Sequence, residues 1–267
     1  MRKPIAIGFY PSDRVELKSL VTQLLKSKRK FKNAVACVVP HAGYVFSGDV
    51  AGEVYASIET KKRVFLIACP NHTGIGEPVA LSLQDWETPL GVVKNAKLFA
   101  KELPVDESAH RYEHSLEVQL PFLQVRFQDF ELVPICLAHL QLDEIETLAK
   151  KLIRENIFYI ASSDFTHFGP SYGYMPFFHK DLRKNVEEVE KLDKKAISYL
   201  LKLDAHGFYE HVVKTRATIC GFVPITLITL IAKKLGARKG VLLKYKTSFD
   251  VRESADFVAY AGIVFTK

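Results

Sequence analysis

A three-layer α/β/α sandwich around a mainly parallel sheet is the fold this sequence predicts. Short runs rich in Val and Ile alternate with longer amphipathic stretches along the chain, the pattern of parallel strands joined by crossover helices. Several of these runs are apolar at nearly every position, as strands are when helices cover both sheet faces. The last two runs are separated only by a loop, which predicts an antiparallel or edge pair and so a mixed sheet.

The strands are expected at Ala34–Val39, Arg63–Cys69, Pro78–Leu83, Glu131–Cys136, Ile157–Ser162, Val241–Tyr245 and Phe257–Phe265. Helical periodicity occupies Arg14–Lys28, Gly48–Ile58, Asn95–Glu102, Ser115–Phe127, Leu142–Glu155, Pro176–Leu203, Gly207–Val213 and Phe222–Leu235. Phe165–Phe178 fits neither pattern. It carries Gly169, Pro170, Gly173, Pro176 and six aromatics, and reads as an ordered loop that covers something. No low-complexity linker or internal repeat interrupts the 267 residues, so residues 1–267 read as one domain.

Hydrophobic residues make up 48% and charged residues 25%, ordinary globular usage that argues against disorder. The net charge of +7 is mild and dispersed. Its one local cluster, Lys26-Ser27-Lys28-Arg29-Lys30, reads as a solvated helix end rather than a nucleic-acid patch. Many Lys and Glu with only two Met would suit a heat-adapted protein. Cys37, Cys69 and Cys136 each lie inside an apolar run and read as small buried hydrophobes, not as a disulfide framework. Met1-Arg2-Lys3-Pro4 leads straight into a short strand-like run, so no secretory leader is expected. With no apolar stretch of about 18 residues, no membrane span is expected either, and the cytoplasm is the expected compartment.

In an open α/β sheet, ligands bind beyond the carboxyl ends of the strands. Pro40-His41-Ala42-Gly43-Tyr44 follows one strand, Pro70-Asn71-His72-Thr73-Gly74 the next, and Ser162-Ser163-Asp164-Phe165-Thr166-His167-Phe168-Gly169 a third. A lone histidine after a strand is usually a surface or capping residue. Three strands that each deliver one, two of them through the same apolar–Pro–His–Gly pattern, point instead to a shared site. Neutral imidazole is the commonest metal-ligand side chain.

Cys220 precedes a strong helical run whose first turn holds Pro224. A packing role is the bland reading of such a cysteine. The helix N-terminus would lower its thiol pKa and favour the thiolate, which is both nucleophile and metal ligand. With His41 and His72 it completes a His/His/Cys set of the kind that holds zinc with an open position, or copper or iron. A capped helix accounts for Ser115 and Glu117 but not for Glu113-His114, which suits a pair supporting metal ligands from behind. His110, His139, His179, His206 and His211 lack a comparable setting and read as structural or exposed.

These motifs, with Glu-His-Ser-Leu-Glu-Val-Gln-Leu-Pro (113–121) and Thr-Ile-Cys-Gly (218–221), resemble the Memo family in order and spacing over nearly the whole chain. Prokaryotic members are also called AmmeMemoRadiSam system protein B, and occur beside a radical-SAM protein and an AMMECR-type protein. The resemblance implies a fold similar to class III extradiol ring-cleaving dioxygenases, which hold Fe(II) with two histidines and a carboxylate. The matching histidines are His41 and His72, while Cys220 stands where those enzymes have Glu or Asp. A thiolate is softer and oxidisable, which implies iron or copper in a redox or oxygenase-related role, with zinc as a further choice.

Asp164 and His167 match a further polar pair of the family's cleft, and His167 or His114 is the implied acid/base. Three functions follow as expectations. The first is a metal-dependent redox protein acting on a small molecule, alongside radical-SAM and AMMECR-type partners. The second is a non-enzymatic module for an acidic or phosphorylated peptide, as proposed for animal members. The third is a zinc-dependent hydrolase with Asp164 as general base.

Overall fold

The computed structural model describes residues 1–267 and contains a ten-stranded sheet between two helical layers. Strands β1 (Ala34–Val39), β2 (Val64–Pro70), β6 (Glu131–Leu137) and β7 (Ile157–Ser162) form the parallel centre, in the order β6-β2-β7-β1. Their alternate residues enter different cores. Phe65, Ile67 and Cys69 of β2 join a cluster with helices α1 (Arg14–Leu24), α2 (Tyr44–Ser57) and α3 (Leu120–Arg126). Leu66 and Ala68 join one with α4 (Leu142–Leu152), α5 (Leu182–Leu201), α6 (Ala205–Thr215) and α7 (Phe222–Lys234). Burial on both faces is why these strands read as continuous apolar runs.

The remaining strands are antiparallel additions, apart from β5 (Gly91–Asn95), which pairs parallel with β6. β3 (Val79–Leu81) pairs with β6, and β4 (Trp86–Thr88) with β5. The two last strands, β9 (Lys239–Thr247) and β10 (Phe257–Thr266), pair antiparallel as expected. Only β9 lies at the margin there. β10 is interior, held between β1 and β9 over Ile263–Thr266.

The expected helix at Asn95–Glu102 is absent. Lys94 and Asn95 are drawn into β5 opposite Glu131 and Leu132, and the Asn95 side chain accepts the Lys97 amide at 2.8 Å. That Asn-driven turn leaves Lys97 and Phe99 with φ of 55° and 66°, outside any helix. Ser115–Phe127 is shortened to a 3-10 turn at Glu117–Gln119 followed by α3. The long α5 begins only at Leu182, where the Asp181 side chain accepts the Arg183 amide. α1 stops at Leu24, so the basic cluster at 26–30 follows the helix rather than ending it. Two of its cations are spent on carbonyls: Lys30 on Ala56 at 2.6 Å and Arg29 on Leu243 at 2.9 Å. No helix is long and apolar enough to cross a membrane.

The chain leaves β2 toward β3 and β6, but leaves β7 toward β10 and the short strand β8 (His167–Phe168). Segments that diverge from neighbouring parallel strands open a crevice at their carboxyl ends. All three histidine-bearing segments end there.

Candidate metal centre

His41, His72 and Cys220 meet at this crevice, with their three potential ligand atoms all within 4.8 Å of one another. His41 is 2% exposed. Its Nδ1 lies 3.0 Å from the hydroxyl of Ser162, the last residue of β7. That hydroxyl donates its only proton to the Ser115 carbonyl at 2.7 Å and accepts from the Gln119 amide at 2.9 Å. Its remaining capacity is one lone pair, so His41 must donate from Nδ1. The Nε2 lone pair therefore faces the Cys220 sulfur, 3.3 Å away. Burial, followed by the neighbouring histidines, pushes the His41 pKa well down and keeps the ring neutral.

His72 is fixed from behind in the same sense. Its amide donates to Glu113 Oε2 at 2.7 Å, and its Nδ1 lies 2.9 Å from Glu113 Oε1. Glu113 is wholly buried and also accepts from the Ser115 amide and hydroxyl at 2.9 and 2.6 Å. Burial opposes its charge, yet the His72 and Ser115 hydrogen bonds hold it down to about 2. An ionised Glu113 requires a proton on His72 Nδ1, and Nε2 is the ring atom left for the crevice. His72, Glu113 and His114 also lie close enough together to suggest a metal set. The four donors already on Glu113 instead make it a support for His72.

Cys220 lies just before Gly221, the N-cap of α7. The sequence expectation of a lowered thiol pKa is reversed: burial pushes it up, against the pull of His72. Gly221 lets the helix end approach β7. A Cβ there would stand 2.5 Å from Ser163 Cβ and 2.7 Å from the Ser162 carbonyl, both in the strand-end segment. Gly221→Ala is expected to cost about 1–3 kcal/mol as overpacking. Thermal unfolding measures that loss, and a wild-type midpoint would contradict the close approach.

Asp164 and His167 flank the three residues. Asp164 Oδ1 accepts the backbone amides of His41 and Ala42 at 2.8 and 3.3 Å, while Oδ2 lies 3.9 Å from His41 Nε2. Burial pushes the Asp164 pKa up. His167 Nδ1 sits 3.0 Å from both the Phe165 and Thr218 carbonyls. Two acceptors force a proton onto Nδ1. Tyr172, from the aromatic loop, meets the His167 ring edge-on at 5.1 Å, which gives that loop a contact with the crevice. His114 stacks on Phe9 at 4.3 Å and on His72 at 5.1 Å.

The capping expectation for Ser115 and Glu117 is not met. Ser115 bonds Glu113, and Glu117 is buried against the N-terminal segment. Sequence reading also missed Ser162 and Gln119, which set the His41 tautomer. Their only signal was that polar residues stand in stretches otherwise apolar.

A family model described as Memo-like protein matches residues 2–264. The chain belongs to the Memo family. Family relatives include a MEMO1 family protein of Archaeoglobus fulgidus, 39% identical over 99% of both chains. Others in Methanosarcina barkeri and Aquifex aeolicus are each 38% identical, again over 99% of both chains. Such coverage places the crevice residues from His41 to Cys220 inside the Memo match.

Proposed function

We propose that this Memo-family protein binds a redox-active transition metal, iron or copper, through His41 Nε2, His72 Nε2 and Cys220 Sγ. The observation that carries the proposal is the hydrogen-bond order behind the ligands. Ser162 and Glu113 occupy both Nδ1 atoms, so two imidazole Nε2 atoms and one sulfur meet at a common point. Two neutral imidazoles and a thiolate suit copper, iron or zinc rather than magnesium or calcium. Such an ion would supply electron transfer or dioxygen activation, and the Cys220 thiol proton and the His72 Nε2 proton would leave as it binds.

The surrounding residues can act on a ligand directly. His167 Nε2 can take or return a proton at the crevice, because its Nδ1–H is locked on two carbonyls. Asp164 Oδ2 can orient a hydroxyl or water, because Oδ1 is taken by two backbone amides. Anaerobic loading with iron, copper and zinc, followed by elemental analysis and spectroscopy, tests the reading. One equivalent of a coloured, redox-active ion is expected. Failure to bind any of the three overturns the site, while binding of zinc alone overturns the redox assignment.

A further inference from the structure

Residues 2–10 reach the crevice from outside and are tied there by one buried ion pair. Arg2 is 7% exposed and Glu117 is wholly buried, with Arg2 Nη1 2.5 Å from Glu117 Oε2. The other Arg2 nitrogens donate to the carbonyls of His110 at 2.9 Å and Glu113 at 2.8 Å. The face of the guanidinium lies 4.0 Å from the Trp86 ring centroid. Glu117 in turn accepts the amides of Ile5 and Ala6 at 3.0 Å and the Tyr10 hydroxyl. Farther along, the Phe9 carbonyl accepts the Tyr44 amide at 2.8 Å, and the Phe9 ring stacks on His114.

We propose that Arg2 and Glu117 are positioning residues of the His41/His72/Cys220 centre, acting through the backbone of residues 110–113 and through Phe9. Arg2 holds the Glu113 carbonyl, and the Glu113 side chain holds both the amide and the ring of His72. The planar fork of Arg2 serves three acceptors at once, which a lysine ammonium on a single stem cannot reproduce. Phe9 closes the outer face of His114, whose inner face lies on His72. The segment therefore fixes the His72 half of the crevice, while Ser162 and Gln119 fix the His41 half.

Two readouts test this on the full chain. The second rests on the metal reading and the first does not. In metal-free protein, the His72 Nδ1–H bonded to Glu113 should appear as a slowly exchanging downfield proton resonance. Arg2→Ala should broaden or remove it, and Arg2→Lys should restore it only partly. In a Co(II) titration, Arg2→Ala should weaken binding by about 10-fold or more, the range seen when groups supporting metal ligands are removed.

Leu148→Ala, in α4 of the opposite helical layer, serves as the control for stability loss alone and should leave both readouts unchanged. Wild-type resonance and wild-type cobalt affinity in Arg2→Ala would overturn the proposal, as would equal losses in Leu148→Ala. If wild-type protein binds no cobalt, the metal reading fails and the proton resonance alone decides the positioning role.

Discussion

Cys220→Ser is expected to weaken Co(II) or Cu(II) binding by more than the roughly 10- to 100-fold typical of a supporting residue, because it removes a donor atom. A serine hydroxyl stays protonated where a thiolate can form, and its oxygen is a poor match for soft ions. The substitution is nearly isosteric, so the fold should survive. Gly221 still donates to Ser163 Oγ at 2.9 Å, and α7 remains buried along residues 223–229. The measurement is the absorbance of cobalt- or copper-loaded protein, in which a sulfur-to-metal charge-transfer band is present in wild type and absent from the variant. Retention of that band, or unchanged affinity, would show that Cys220 is not a ligand.

The parallel centre of the fold was legible because its strands are buried on both faces. A short, unbroken apolar run such as residues 35–39 or 65–69 suits a strand covered on both sides and little else. The marginal strands β4 and β5 were not legible. Trp86-Glu87-Thr88 and Gly91–Asn95 are short and partly polar, and pairing creates them rather than their own composition. His41, His72 and Cys220 could be proposed as partners because strand ends and a helix start have defined places in this architecture. Glu117 could not be placed, because the same Ser-x-Glu spacing serves a helix cap or a buried ion pair. Only the distant Arg2, 115 positions earlier, decides between them. Likewise the helix start alone predicts a lowered Cys220 thiol pKa, while the actual direction is set by burial among surrounding elements.

Glu113→Gln tests the support behind His72 and should change both metal affinity and the pH dependence of stability. Four donors meet the two Glu113 oxygens: the His72 amide and Nδ1, and the Ser115 amide and hydroxyl. A glutamine offers acceptor capacity on one atom only and turns a donor toward at least one of those groups. Cobalt affinity should fall about 10- to 100-fold.

In metal-free protein the folded Glu113 carboxyl is held at about 2 against an ordinary value of 4.5. A depressed carboxylate contributes stability that is present above pH 4.5 and is lost as pH falls through about 2. The contribution is on the order of 3 kcal/mol. His72 has the opposite sign. Burial opposes its charge, but Cys220 and Glu113 lift it to about 10, so its contribution holds below pH 6.5 and is lost as pH rises through 10.

His110 titrates between these limits. Burial pushes it down to about 4, which costs stability from pH 6.5 downward in wild type and variant alike. Subtracting the two unfolding curves therefore isolates the Glu113–His72 pair, whose carboxylate is lost at low pH and whose imidazolium is lost at high pH. The difference should be largest between about pH 4.5 and 6.5 and shrink on both sides. A pH-independent difference would mean that the carboxylate packs against His72 without being ionised. An unchanged cobalt affinity would mean that His72 does not need it for orientation.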